Sequence, residues 1–255
     1  MPRGNKFACL AYHAIGAHGG RFTLSKRQFH AQLALLGWEA VEIDGFEGLE
    51  HKLQSSYFLP PRYVVLTVDD GRESALWTAD ALAKHNAQAT FFFTRDKCLS
   101  QPGYIRETDI RELRKRGFSV GTQGTTNRGL TFLSEAQCIT ELAQSKRWLE
   151  DVIGEEVRYM AAPGGFINAR VTGWAYECGY TLVGTAKEWL NSPETMLLPH
   201  KVNRVYVQRS FSRHTFRRIV QGYPSFYVRR RVRDLSLYIP KQLFRRASTE
   251  RLPLP

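Results

Sequence analysis

The chain has 255 residues, 43% hydrophobic and 24% charged, which suits one ordinary globular domain, or at most two, and excludes a disordered or fibrous protein. Its formal net charge of +12 is unevenly placed: residues 201–255 carry fourteen Lys and Arg against Asp234 and Glu250, so the first two hundred residues are neutral overall. A neutral body with a basic end argues against a domain built around a nucleic-acid groove, so no nucleic acid is expected, and it argues for a tail that meets something acidic.

No window approaches eighteen uninterrupted apolar residues, and Met1 to Lys6 lead into only a short apolar stretch. Neither a spanning helix nor a secretory signal is therefore expected, and the chain reads as cytoplasmic. An apolar run at 7–12 is followed by Phe29, Leu33 and Leu36 at helical spacing, after the cap candidates Thr23 and Ser25 and before the terminator Gly37. A second run, 63–68, leads into a helical pattern over 74–85, and a third occupies 89–94. Ile110, Leu113 and the terminator Gly117 mark another helix before the run at 118–121. Ser134 and Gln137 resemble a capping box opening a long helix to Leu149. Then come a run at 157–162, a short helix over 172–178 stopped by Gly179, and runs at 180–184 and 202–207. Nearly continuous apolar strands alternating with helices indicate an α/β fold around a buried parallel sheet or barrel.

After Gln221-Gly222-Tyr223-Pro224 the character changes. Arg229-Arg230-Arg231-x-Arg233 opens a segment in which Val232, Leu235, Leu237, Tyr238 and Ile239 have little polar relief before Pro240, and 242–246 suits a last short helix. The expected division is a domain over 1–222 and a basic C-terminal extension over 223–255. Arginines mixed with Leu, Ile and Tyr fit a surface helix on anionic lipid, with a solvated helix face as the alternative. Cys9, Cys98, Cys138 and Cys178 form no C-x-x-C pair and are expected to be reduced, partly buried thiols.

The strongest local signal is Leu66-Thr67-Val68-Asp69-Asp70-Gly71, two adjacent carboxylates at the end of an apolar strand. In such folds the carboxyl ends of the strands face the site, and two close carboxylates invite opposed roles, one a base and one neutralised by a cation or proton. The same residues also suit an Asx-turn or helix cap leading into Arg72-Glu73-Ser74.

Here the chain resembles the polysaccharide deacetylases of carbohydrate esterase family four, the NodB-homology domain. Leu10-Ala11-Tyr12-His13 is similar to the Tyr-His segment of one subgroup, and Leu66 to Gly71 to the T-[FV]-D-D-G motif. Ala89-Thr90-Phe91-Phe92-Phe93 is similar to the A-T-F-F-x strand. Glu141, Ser145-Lys146, Leu149-Glu150 and Gly154 resemble the E-x-x-x-S-K-x-x-L-E-x-x-x-G helix, and Ala162-Pro163-Gly164-Gly165-Phe166 the Y-P-x-G loop. The ordered set covers about residues 7 to 220. The resemblance implies a distorted (β/α) barrel with fewer than eight strands, its site at the carboxyl ends of the strands. It makes Asp69 the candidate general base and Asp70 the candidate ligand of a divalent metal, zinc in the family, whose bound water would attack an N-acetyl carbonyl on a sugar.

The family completes its metal site with two histidines in H-[ST]-x-x-H, and here Gln123 and Asn127 stand at those positions. Zinc favours imidazole and thiolate, whereas an amide oxygen is a neutral, hard and weak ligand, so a weak metal or none is expected. Leu197-Leu198-Pro199-His200 fits the late L-x-x-H of the family, which makes His200 either a general acid or a satisfied strand-end histidine. His13 ends the first apolar run and is the other candidate acid; His18 suits a loop, and His30, His51 and His85 suit solvent-exposed positions. An arginine found in many members two residues before the loop proline is Ala161 here, so orientation must come from elsewhere. Pro163, Gly164, Gly165 and Phe166 either line a sugar pocket, with the Phe166 ring as a stacking surface, or form a tight strand-to-helix turn. The expected substrate is an N-acetylated glycan or lipid-linked sugar, in surface-polysaccharide or O-antigen and lipopolysaccharide assembly. The alternative is a pseudoenzyme serving as a glycan-binding or scaffold protein, and the basic end would make peripheral contact with an anionic membrane.

Overall fold

Strands apolar at consecutive positions must be covered on both faces. In the computed structural model, which describes residues 6–16, 19–55, 59–196 and 200–230, they form one parallel sheet curled into a barrel. The strands are β1 (Ala8–Tyr12), β2 (Glu42–Asp44), β3 (Tyr63–Val68), β4 (Thr90–Phe93), β5 (Ser119–Thr122), β6 (Tyr159–Ala161), β7 (Leu182–Thr185), β8 (His200–Asn203) and β9 (Val205–Tyr206). The helices are α1 (Lys26–Trp38), α2 (Phe46–Ser55), α3 (Ser74–Ala83), α4 (Arg95–Ser100), α5 (Glu107–Lys115), α6 (Glu135–Ile153), α7 (Ala169–Glu177) and α8 (Arg213–Val220).

The order around the ring is β1, β3, β4, β5, β6, β7, β8, and β9 returns to β1. β8 and β9 are one run, 200–206, which pairs with β7 up to Asn203 and with β1 from Val205. This change of partner at Arg204 closes the barrel with seven staves, fewer than eight as expected. β2 stands outside the ring order and pairs with the first half of β3, on the edge that β4 takes over from Thr67.

Because side chains alternate along a strand, the core divides into two. Leu10, Leu66, Phe91, Met160, Val183 and Val205 point outward and pack with Leu33, Leu36, Leu82, Leu113, Leu142 and Leu149 of the helices. Cys9, Val65, Phe92, Tyr159, Leu182 and Val202 fill the interior, together with Phe46, Leu49 and Leu53 of α2. α2 thus closes the amino-terminal mouth: the Phe46 and Phe92 rings lie 5.4 Å apart, and the Tyr159 hydroxyl donates to Glu50 at 2.9 Å. Gly121 of β5 lets Phe92 in, since a Cβ there would come within 2.5 Å of its ring.

Local signals act mostly as expected. Ser25 and Gln28 form a capping box at α1, as do Ser134 and Gln137 at α6. α1 runs through Gly37, however, and stops where Ala40 takes a positive φ of 50°. All four cysteines are free, three of them buried. Burial pushes the Cys98 thiol up to about 12 and the Cys138 thiol up to about 11.

The domain does not end at Gly222. Residues 224–230 continue as helix, Tyr227 is buried in the outer core, and its hydroxyl donates to the Ile219 carbonyl at 2.8 Å. Arg230 pairs with Glu188 at 3.1 Å, so the start of the arginine run belongs to the folded body. The rest of the expected extension, including 242–246, lies outside the described residues. Tyr227→Ala should therefore cost about 3–5 kcal/mol in urea unfolding, and Tyr227→Phe only about 1 kcal/mol. A neutral Tyr227→Ala would restore the boundary at Gly222.

Candidate active site

The inward positions at the carboxyl ends of the staves can be read from the alternation alone. Val65 and Val202 face inward, so Thr67, Asp69 and Arg204 follow them on the same side. Asp69 and Arg204 are both fully buried, and the Arg204 guanidinium donates to Asp69 Oδ1 at 2.7 Å and to Thr67 Oγ1 at 3.1 Å. Its Nε donates to the Thr185 carbonyl at 3.2 Å, and its plane lies over Phe92 and Tyr206, each 5.6 Å away. Burial opposes the guanidinium charge, but the Asp69 carboxylate outweighs it and holds the Arg204 pKa above its ordinary value. Room for this side chain comes from small neighbours. Ala161 pairs in register with Gly184, and a Cβ on Gly184 would lie 2.8 Å from Arg204 Nε. The arginine missing at Ala161 is thus matched by one arriving from the last staves.

Asp70 departs from its neighbour in every respect. It is partly exposed and takes a positive φ of 74°, a conformation that non-glycine residues seldom adopt outside turns and functional sites. Its N–H donates to the Gln123 side-chain oxygen at 3.1 Å, and its carboxylate lies 3.8 Å from Lys97 Nζ. Neither aspartate caps a helix: α3 begins after Glu73, which makes no side-chain cap bond. The helix-cap alternative therefore does not hold, whereas Asp70 and Gly71 do form a turn at the end of β3.

The loop after β5 is held by α6. Glu141 accepts from the N–H groups of Thr125 at 2.8 Å and Thr126 at 3.0 Å and from the Thr126 hydroxyl. This anchors Gln123 and Asn127, the latter at a positive φ of 64°. The partner motif residues on α6 are structural too: Lys146 donates to Glu150 and to the Val157 carbonyl, both at 2.6 Å, tying the helix to the segment before β6.

His13, one residue past β1, stacks on Phe22 with centroids 5.2 Å apart and meets the Tyr206 ring at 5.1 Å. The Tyr206 hydroxyl in turn accepts from Arg204 Nη2 at 3.5 Å, so His13 reaches the ion pair through one phenol. Burial raises the Tyr206 pKa, an effect that Arg204 partly offsets. His13 Nδ1, Asp69 Oδ2, Thr94 Oγ1 and Asn127 Oδ1 are buried without a hydrogen-bond partner. Buried polar atoms are normally satisfied, and these four come from the ends of β1, β3 and β4 and from the loop after β5, which marks the carboxyl mouth as the place for a polar ligand or water.

His200 is not brought to this group. It opens β8 opposite Leu182, the first residue of β7, at the amino end of the barrel. Arg204, four residues later and about 13 Å further along the run, is the residue that reaches Asp69. Of the two readings of His200, the register therefore favours the strand-end histidine over the general acid. Pro163, Gly164 and Gly165 form a short 3-10 turn after β6, with positive φ at both glycines. Phe166 is exposed and meets the exposed Phe132 ring at 5.6 Å, a paired aromatic surface that the sequence does not announce. His18 lies outside the described residues, and His30, His51 and His85 are exposed.

The donor set does not fit zinc. Among the described residues no three His, Cys, Asp or Glu side chains gather as a metal-ligand group. Asp70 already faces an ammonium, and the Gln123 oxygen is engaged by a backbone N–H, leaving the amide N–H groups to face the remaining space.

Comparison with known proteins agrees with this architecture. Residues 58–183 match the family described as polysaccharide deacetylase. YxkH of Bacillus subtilis strain 168, named for that family, is 23% identical over 218 residues, 83% of this chain and 75% of that protein. The peptidoglycan-N-acetylglucosamine deacetylase PgdA of Listeria monocytogenes is 29% identical over 122 residues, 47% of this chain but only 24% of that protein. The structure of the Streptococcus pyogenes deacetylase PplD in complex with acetate superposes with a TM-score of 0.77 at 21% identity, covering 86% of this chain and 99% of that one, and so shares the fold.

Removing one member of a buried ion pair strands the other charge. Arg204→Met should cost about 3–5 kcal/mol in denaturant unfolding, and adding Asp69→Asn should recover part of the loss. Equal stability of wild type and Arg204→Met would show that the pair does not hold the barrel.

Proposed function

We propose that this chain, which belongs to the polysaccharide deacetylase family through residues 58–183, hydrolyses the N-acyl amide of a sugar within a glycan. The observation that carries the proposal is Asp69: one carboxylate oxygen is fixed by Arg204, and the other is buried and unpartnered at the carboxyl mouth. In this reading Asp69 takes the proton of the attacking water, and His13, linked to the pair through Tyr206, delivers a proton to the leaving amine in place of His200. Phe132 and Phe166 offer the faces on which sugar rings lie.

The proposed substrate is an N-acetylated glycan or lipid-linked sugar of surface-polysaccharide or O-antigen assembly, met on the cytoplasmic side. The positive charge remaining at Arg231, Arg233, Lys241, Arg245, Arg246 and Arg251 supports a peripheral role at anionic lipid. Because Tyr227 belongs to the core, the fair truncation is after Arg230. That truncation should abolish salt-sensitive sedimentation with anionic liposomes, and unchanged sedimentation would remove the membrane contact from the proposal.

Acetate released from N-acetylated oligosaccharides is the direct measurement. Asp69→Asn should abolish release when assayed below its unfolding transition, which the stranded Arg204 lowers, and Phe132→Ala with Phe166→Ala should weaken glycan binding by about tenfold. Glycan binding by the wild type without release from any substrate would replace the hydrolase with a glycan-binding protein on the same fold.

A further inference from the structure

The Asp70 carboxylate lies 3.8 Å from the ammonium of Lys97, on α4. Both groups are shielded, with side-chain exposures of 25% and 16%. The ammonium also lies over the Tyr104 ring at 5.5 Å, and Arg72 packs on the same ring at 4.3 Å, so the aromatic face steadies two cations beside the carboxylate. α4 itself is held against the site, because the N–H groups of Arg95 and Asp96 donate to the carbonyls of Gly124 and Thr125 at 3.3 and 3.0 Å. Lys97 is thus carried by the same backbone that carries Gln123 and Asn127.

We infer that the Lys97 ammonium is the resident cation of this site, standing at Asp70 where a divalent metal would otherwise be held. Charge balance agrees. Asp69 is matched by Arg204 and Asp70 by Lys97, so a dication would enter a site with no carboxylate left to neutralise it. Ligand chemistry agrees as well: the two histidine positions are amides, and the Gln123 amide, its oxygen engaged by the Asp70 N–H, presents donors to an incoming oxygen.

For the reaction, this rests on the hydrolase reading. The water oxygen bonds to the acyl carbon as Asp69 takes its proton, and the carbonyl electron pair moves onto the acyl oxygen, facing the Lys97 ammonium as a charged hydrogen-bond donor. When the C–N bond breaks, that electron pair returns and the nitrogen leaves as the amine with the proton that His13 delivers, the proton of the water remaining on Asp69. Lys97 is then an electrophilic residue of the site, and no metal takes part.

Zinc titration calorimetry on the full chain tests the cation position without reference to catalysis. Gln123→His with Asn127→His should bind zinc poorly, and adding Lys97→Met should tighten binding on the order of 100-fold. Equal affinity with and without Lys97→Met overturns the inference. If the histidine variants do not fold, lysine side-chain NMR of the wild type and Asp70→Asn tests the same pairing: the Lys97 resonance should shift between the two, and an unmoved resonance overturns the inference. Where acetate release is present, it should persist in chelator and fall on the order of 100-fold in Lys97→Met. Loss in chelator overturns the inference alone, whereas release by no form of the protein sinks the hydrolase reading and leaves the zinc comparison to judge Lys97.

Discussion

An arginine taken out of water costs several kcal/mol unless charge and acceptors replace the solvent it loses. At Arg204 the replacements are the Asp69 carboxylate, the Thr67 hydroxyl, the Thr185 carbonyl and the Tyr206 phenol, drawn from three different parts of the ring. The same residue marks the bend where one run leaves β7 and joins β1. Closing the barrel and orienting the carboxylate are therefore one event, and the small residues Gly184 and Ala161 exist in register beside it to make the space. Asp69 is held by the geometry of the whole ring rather than by its own loop.

The other half of the site is built on a different principle. Asp70 sits on strained backbone at the surface end of the same strand, and its partners come from α4 and from the loop after β5. That loop is braced from behind by Glu141, while Lys146 and Glu150 fix the far end of the same helix. Residues that make the α6 segment recognisable in sequence are thus framework, and the chemistry lies in residues they never touch directly.

This division explains what the sequence could reveal. All seven staves were legible because a buried parallel strand must be apolar at successive positions, and Asp69-Asp70 stood out against that background. β2 has only three residues, all at least partly exposed, and α4 is short and rich in charge, so no period betrays them; α8 does carry a helical period, Phe216 with Ile219 and Val220, but over only eight residues. Arg204 gave one faint sign, a charge flanked by Val202, Val205 and Val207, but its partner lies 135 positions away. Lys97 reads locally as an ordinary solvated helix residue. Spacing could not choose between the two readings of His200, because it fixes a position along the chain, whereas the register with Leu182 fixes which end of the barrel it occupies.

The pairing of Leu10 with Val205 also has a temporal side. During synthesis the first stave is made almost two hundred residues before the strand that covers its free edge. Until then the sheet is an open trough, with β1 unpaired on one side and its inner face, lined by Cys9, Val65 and Phe92, open to water. Contacts this distant in sequence form slowly, and such an intermediate is prone to associate with its neighbours. The yield of native protein is therefore governed by how quickly the segment carrying Arg204 and Tyr227 arrives, and a chain cut short before it would be expected to aggregate rather than to fold into a smaller barrel.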